Sequence, residues 1–351
     1  MSTVTQVRTL TPSNSVVTDK LEKSYYWGIL LECWNLAPHM KHFPGPNPTS
    51  MMRDDISQLD DDDFWVALKS DGVRYLLLLT TKPNSREPIS IMIDRANQMY
   101  ELEVWGNEDF FYKNCLLDGE LVWNQTGELQ FVIFDVVMLK GISCIKMLYS
   151  DRLEVIRSSL LRITDMLDDE AVTQIVAEED KFCARHNFAN LQLLPKMCVR
   201  RNELSFLWNN TQGSHRHDGL IFTRNTAHIH TGTSTDILKW KPSQSIDIKC
   251  YRKNSVWSFF VNSNTSSEEF DISQNINSYL TILDRGSPLL KRLEHKSECV
   301  IECTVTLDDA NVTLIPQRER SDKNSANALK TVLATILNAK ENIQIGELYP
   351  S

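Results

Sequence analysis

The stretch Phe64-Trp65-Val66-Ala67-Leu68-Lys69-Ser70-Asp71-Gly72-Val73-Arg74 constrains this chain most, because a short polar break separates two apolar runs. Apolar residues lead up to Lys69, and Tyr75 to Leu79 continues apolar beyond it. The pattern predicts two buried strands joined as a hairpin, since Asp-Gly is a favoured tight turn. The turn sets a lysine, a carboxylate, a glycine and an arginine side by side at the lip of a core. A lysine amine that is partly desolvated among other cations gives up its proton more readily and can act as a nucleophile. The string Lys-x-Asp-Gly alone is weak, for chance supplies it in roughly one chain in ten of this length.

A chain of 351 residues exceeds one ordinary core, so two domains are expected. Hydrophobic residues at 42% and charged residues at 24% describe a globular protein. The net charge of −9 argues against a broad basic face that coats nucleic acid, but allows an enzyme that touches only the end of a strand. The eight cysteines include no Cys-x-x-Cys pair, and Cys299 and Cys303 lie in strand-like surroundings. Reduced thiols in an intracellular protein are the expectation. The first residues are Ser/Thr-rich without an apolar core, so no signal peptide is expected, and Gly28 to Leu36 is too short to span a bilayer.

Residues 1–20 read as a polar mobile arm, and the segment to Met40 as helix with Trp27, Ile29, Leu30 and Trp34 inward. Phe43 to Pro48 reads as loop, and Asp60 to Asp63 as a solvated acidic turn. Ile91 to Arg95 is a short strand. Leu116–Trp123 and Leu129–Met138 form a hairpin, the first strand carrying Glu120 among apolar neighbours. Leu153, Ile156, Leu160 and Leu161 mark a helix from about Ser150 with its arginines and Glu154 on the outer face, and residues 165–187 are helical in part. His215 to Phe222 turns into a strand, and Ile237 to Trp240 is a strand closed by Pro242. Beyond Pro242, short β-rich runs between Asn/Ser/Asp/Gly clusters predict a small barrel or sandwich. A closing helix over Ser325–Ala339 turns Leu329, Val332, Leu333, Ile336 and Leu337 to one face.

Lys69, Arg74, Arg95, Glu120, Asp218, Lys239 and Lys241 all stand at strand ends or alone inside strands. Burying so many ionisable groups is costly unless they face one another, a ligand or a metal. The mixture suits a nucleoside triphosphate, with cations for phosphates and carboxylates for a hard divalent ion and ribose hydroxyls.

On these residues the chain resembles the eukaryotic mRNA capping guanylyltransferases, covalent nucleotidyltransferases related to DNA and RNA ligases, over residues 43–330. Phe43-Pro44-Gly45 is similar to a segment upstream of the nucleophile, and Lys69-Ser-Asp-Gly-Val-Arg74 to the nucleophile motif. Ile93-Asp94-Arg95, Asp118-Gly119-Glu120, Phe134, Asp218-Gly219-Leu220-Ile221-Phe222 and Leu238-Lys239-Trp240-Lys241-Pro242 follow in the family's order. Arg318-Glu319-Arg320-Ser321-Asp322-Lys323-Asn324 resembles the final motif that separates capping enzymes from most ligases, and Ile301-Glu302-Cys303 the strand before it. Leu314 stands where the family usually has tryptophan, and Ala326 where it often has proline.

The resemblance implies an α+β fold, with a nucleotidyltransferase domain of twisted antiparallel sheets and flanking helices over 1–242. An OB-fold β-barrel with a terminal helix would follow over 243–351 as a lid. It implies that Lys69 attacks GTP to form lysyl–GMP, which passes to the 5′-diphosphate end of nascent RNA. Lys239 and Lys241 would hold the α-phosphate, and Asp218 with Glu120 would hold Mg²⁺ or Mn²⁺. Arg74, Arg95 and Glu120 would fix the ribose, with Phe134 stacked on guanine. Arg318, Arg320, Asp322 and Lys323 would reach the triphosphate on closure, with Asp247 a candidate at the hinge. Lys196 lies where guanine would be read, without a motif to support it. Separate triphosphatase and methyltransferase chains, the phosphorylated tail of RNA polymerase II and a nuclear location are implied, with no membrane. An ATP-dependent polynucleotide ligase and a non-catalytic RNA-end or polymerase binder are the alternatives.

Overall fold

The apolar run Tyr75–Leu79 lies within the strand Val73–Thr81, where Tyr75 is 1% exposed and Leu76 to Leu79 are fully buried. A strand this apolar needs cover on both faces, and it has it. This computed structural model describes residues 16–61, 63–161, 169–184, 191–210, 215–263, 268–272, 280–282, 287–308, 311–321 and 323–350. Val73–Thr81 pairs antiparallel with Pro88–Asp94 on one side and Cys115–Trp123 on the other. The sheet continues through Leu129–Leu139 to Gln192–Pro195, a parallel edge strand, and ends at Met99–Leu102 on the other side. The helix Lys20–Cys33 covers one face through Leu30 against Leu76, Leu78, Ile91 and Ile93. On the other face Leu77, Phe131 and Ile133 meet Phe110 and Ile156.

Phe64–Ser70 does not pair with Val73–Thr81, so the expected hairpin is absent. It joins a second sheet, ordered Pro46–Ser50, Gly232–Trp240, His217–Arg224, Phe64–Ser70 and Cys198–Arg200. Ser70-Asp71-Gly72 is instead a corner that carries the chain from one sheet to the other. Neither Asp71 nor Gly72 adopts the positive φ that a primed hairpin turn requires. A Cβ on Gly72 would lie 2.4 Å from the Leu121 carbonyl oxygen and 2.6 Å from Val122 Cγ1. The corner is thus pressed onto the Cys115–Trp123 strand, a contact no local pattern announces.

The hairpin of Cys115–Trp123 with Leu129–Leu139 is present. The helix Tyr149–Ser159 touches both sheets, Leu153 packing on Ala67 and Cys198, and Ile156 on the other core. Arg152 was expected on its outer face but is 1% exposed. Its guanidinium bonds Asp135 (Nε to Oδ1 2.7 Å) and the Met147 and Ala227 carbonyls, which compensates the burial. The segment after Phe43 becomes a strand at Pro46, on the sheet edge where proline costs no ladder bond.

The chain divides into two compact units, one of residues to Thr49, Gln58–Trp240 and Tyr349–Ser351, the other of Ser50–Ser57 and Lys241–Leu348. The second unit is a sheet ordered Glu269–Asp271, Val256–Asn262, Gln244–Lys253, Glu298–Asp308, Asn311–Glu319 and Leu280–Ile282, the last parallel to its neighbour. No pairing closes this sheet into a barrel among the described residues. The protein is α+β, with sheets dominant. The terminal helix runs Leu329–Glu341 and turns Leu329, Val332, Ile336 and Ala339 to the core, while Leu333 and Leu337 are more than half exposed. One helical stripe is narrower than the face the apolar pattern predicts. Ser50–Ser57 joins this unit through Arg53, which bonds Glu347 (Nη1 to Oε2 2.6 Å) and the Glu341 carbonyl (2.8 Å), and through Met51, whose carbonyl accepts from Asn338.

Gly72→Ala is expected to destabilise the first unit by about 1–3 kcal/mol, the usual cost of overpacking against backbone that cannot retreat. Urea unfolding would measure it; an unchanged midpoint contradicts the corner contact.

Candidate active site

Lys69 is the last residue but one of its strand, and its side chain is 24% exposed. The alternation of the strand puts it on the same face as Ala67. Across the neighbouring strand Ala67 faces Ile221, which faces Lys239, so Lys69 and Lys239 share a face of the sheet. The ladder slips between His217 and Leu220, and Asp218 leaves the pairing there to meet Lys69, Nζ to Oδ1 2.6 Å. Lys239 is half-buried, and Lys241 follows the strand as the first residue grouped with the second unit.

The other sheet supplies the opposite side. Arg74 lies directly across from Glu120, and Leu76 from Asp118. Asp118 is 1% exposed and takes Arg74 in two bonds, Nε to Oδ1 at 2.8 Å and Nη2 to Oδ2. The Pro46 carbonyl accepts from Arg74 Nη1 at 2.6 Å, and the rings of Phe43 and Phe134 each lie 5.5 Å from its Cζ. A Cβ on Gly45 would come within 2.7 Å of Arg74 Nη2. The segment Phe43-Pro44-Gly45-Pro46 is therefore the wrapping of one guanidinium. Burial pulls the Arg74 pKa down, but Asp118, helped by the charges of Glu120 and Asp135, more than offsets it and the net shift is upward.

Glu120 is half-buried and accepts the Gly72 N–H at 3.3 Å. Burial raises its pKa, opposed by the charges of Lys196 and Lys69. Arg95 stands exposed after the Pro88–Asp94 strand, where the charges of Arg74, Asp118 and Glu120 act on it. Phe134 is held from behind, its carbonyl accepting from Tyr149 Oη at 3.1 Å.

Asp218 and Glu120 both act on Lys69, which bears on a divalent ion. Mg²⁺ is commonly held by one or two carboxylates and completed by phosphate oxygens and water. The pair fits that use, and among the described residues no group of three His, Cys, Asp or Glu forms an all-protein cage.

The second unit collects its own charges. Asp247, Glu302 and Arg318 stand in a row across three neighbouring strands. Glu302 takes Arg318 Nε at 2.6 Å and Ser245 Oγ at 2.7 Å. Asp247 is 5% exposed and accepts from Arg320 Nη1 at 3.1 Å and from Lys323 Nζ. Asp322 lies outside the described residues. The structure thus gives Asp247 and Glu302 the part of partners to Arg318, Arg320 and Lys323.

Sequence reasoning missed a cluster beside Lys69. Lys196 is 6% exposed, and its backbone N–H bonds the Ile133 carbonyl at 2.7 Å. Its ammonium donates to Ser70 Oγ and lies 3.3 Å from His215 Nε2. Burial lowers Lys196 to about 8 and His215 to about 4. No spacing links residues 70, 196 and 215, so only a lysine at the end of an apolar edge strand hinted at it.

The family described as "mRNA capping enzyme, catalytic domain" matches residues 5–243. The chain belongs to this family. It is 25% identical to the mRNA-capping enzyme subunit alpha of Neurospora crassa, over 87% of this chain and 83% of that protein. It is 24% identical to the Schizosaccharomyces pombe subunit alpha, over 87% and 79%. It is 26% identical to the mRNA-capping enzyme of Caenorhabditis elegans over 87% of this chain, but spans only 48% of that protein. A solved mycobacterial DNA ligase D complexed with ATP and MES aligns over 80% of this chain and 94% of that one, at 13% identity and TM-score 0.40, too loosely to carry an argument.

Asp118→Asn removes the charge opposite buried Arg74 while keeping its shape. It is expected to cost about 3–5 kcal/mol, the range for an uncompensated buried partner, read from denaturant midpoints. Glu302 is half-buried, which raises its pKa, but bonds from Ser245 and Arg318 outweigh this and lower it. Its stabilising contribution is complete above the ordinary glutamate range and is lost as pH falls through the depressed value. Unfolding curves of Glu302→Gln should therefore be flatter than wild type below about pH 5.

Proposed function

We propose that this chain is the mRNA guanylyltransferase of cap synthesis, working through a covalent lysyl–GMP. The observation that carries the reading is a partly exposed Lys69 amine held by Asp218 on a sheet face shared with Lys239, within the matched family region. Nζ attacks the α-phosphorus of GTP, an N–P bond forms, the bond from α-phosphorus to the bridging oxygen breaks, and pyrophosphate leaves. The proton released by the amine passes to solvent. A β-phosphate oxygen of the RNA end then attacks the same phosphorus, and the N–P electron pair returns to Nζ. The product is a 5′–5′ triphosphate bridge.

Such transfers depend on positioning and charge more than on covalent help from the protein. Asp218 orients the Lys69 amine. Lys239 and Lys241 are the cations proposed for the α-phosphate. Glu120 and Arg95 are proposed for the ribose, and Phe134, steadied by Tyr149, for the face of the base. Arg74 contributes by placing Phe134 and Phe43, since its bonds to Asp118 and Pro46 hold it inside the wall. Mg²⁺ or Mn²⁺ bound through Asp218 and Glu120 would neutralise phosphate charge. Arg318, Arg320 and Lys323 are proposed for the pyrophosphate portion, together with Asp322, and they must first part from Glu302 and Asp247.

The acceptor chemistry requires an RNA 5′-diphosphate, so removal of a γ-phosphate precedes this step and methyl transfer follows it. We assign those reactions to other chains, and recruitment to the phosphorylated polymerase tail in the nucleus belongs to the same proposal. Among the described residues no helix is long and apolar enough to cross a membrane.

Incubation with α-labelled GTP and a divalent ion is expected to leave acid-labile, alkali-stable label on the denatured chain, and Lys69→Ala none. Labelling by ATP in place of GTP would instead identify a ligase, and tight GTP binding without label a binding protein.

A further inference from the structure

Phe134 and Lys69 stand on different sheets, and strand pairing alone does not fix Phe134. Asp118 pairs with Asp135 and Gly119 with Ile133, so Phe134 is the extra residue of a bulge in its strand. On the other edge the parallel ladder with Gln192–Pro195 ends at Ile133. Among the described residues Phe134 therefore has no register partner on either side. Its ring is half-buried, with Arg74 Cζ 5.5 Å from the centroid, and its carbonyl accepts from Tyr149 Oη at 3.1 Å. A carbonyl oxygen has no proton to give, so the phenol is the donor in this bond.

Tyr149 is the first residue of its helix and is 5% exposed. Its backbone N–H donates to the Asn225 carbonyl at 2.7 Å, just past His217–Arg224, the strand that pairs with Phe64–Ser70. Asn225 Oδ1 accepts from the Ser150 N–H at 2.9 Å and from Trp65 Nε1 at 3.2 Å. Asn225 in turn donates to Asp63, from its backbone N–H at 2.7 Å and from Nδ2 at 2.8 Å. The start of the helix is thus pinned to the sheet that carries Lys69. The Tyr149 ring lies in a buried cluster with Leu153, Cys198 and Ala67, and Ala67 is two residues before Lys69 on the same face. One turn on, Arg152 repeats the link, donating to the Ala227 carbonyl at 2.9 Å and to Asp135, the residue after Phe134, at 2.7 Å.

We propose that Tyr149 is a positioning residue for the base: held to one sheet by its backbone, it uses its hydroxyl to set the Phe134 ring on the other at a fixed place relative to Lys69. The proposal rests on the reading of Phe134 as the stacking ring and Lys69 as the nucleophile. Without the hydroxyl the bulge keeps its contact with Arg74 but loses its tie to the helix. The ring then moves more freely, and a nucleotide must order it on binding. Contacts to the phosphates do not depend on this tie.

Equilibrium binding without divalent ion, compared for GTP and for inorganic tripolyphosphate, tests this. Tyr149→Phe keeps the ring in the core and is expected to weaken GTP binding about 5-fold, the scale of one lost hydrogen bond, with tripolyphosphate binding unchanged. In a Phe134→Ala background the same substitution should change GTP binding less than ~1.5-fold, because the two residues act as one unit. With Phe134 ¹³C-labelled, its carbonyl resonance should shift in Tyr149→Phe and its ring signals change width. Wild-type GTP affinity in Tyr149→Phe, equal weakening of GTP and tripolyphosphate, or an undiminished effect in the Phe134→Ala background would overturn the proposal. A wild-type chain that binds no GTP, or a Phe134→Ala chain that binds it as well as wild type, overturns the nucleotide reading instead. The tie between Tyr149 and Phe134 is then decided by the labelled carbonyl, and an unmoved resonance refutes it.

Discussion

The ion pair between Arg74 and Asp118 is the constraint around which one wall of the candidate site is built. Both charges are almost wholly out of water, so neither can be left without the other. The guanidinium is then closed in by two aromatic rings, a proline carbonyl and a glycine with no room for a side chain. That arrangement brings three separate parts of the chain to one point: the segment before the first sheet, the strand after Lys69, and the strand that carries Phe134. It also spends the arginine. Its charge serves the wall, and the cations left to the site are the lysines on the facing sheet.

The facing sheet is tied to this wall at two places. Gly72 presses the corner onto the Glu120 strand, and Lys196 links the sheets by donating its backbone N–H to Ile133 and its ammonium to Ser70. Lys69 therefore stands at a joint between two sheets, where its neighbours on either side belong to different hydrogen-bond networks. A buried lysine at such a joint is costly, and the bond its ammonium donates to Ser70 Oγ offsets part of that cost.

Much of the fold was legible because apolar runs as continuous as Tyr75–Leu79 allow little besides a strand covered on both faces. Strand partners were less so. The predicted hairpin failed because pairing of Phe64–Ser70 is decided by contacts with residues 198–200 and 217–224, far along the chain, and not by the Asp-Gly turn. Arg152 was misplaced because a charged residue in an amphipathic helix reads as solvent-facing unless its buried carboxylate is known. Among the site residues, Lys69, Asp218 and Glu120 could be picked out as charges in apolar strands. Ser70 and His215 could not, since a serine and a loop histidine look ordinary until their common partner Lys196 is seen.

The path of the chain has a consequence of its own. Ser50–Ser57 is built into the second unit, and its Met51 and Arg53 bond the terminal helix and the segment after it. The chain therefore leaves and re-enters the first unit instead of finishing one body before starting the next. No single cleavage yields two complete pieces, and a break after Trp240 would strip the second unit of a strap that lies some two hundred residues upstream. Such units cannot be shuffled as cassettes; they have to be inherited, translated and folded as one continuous thread.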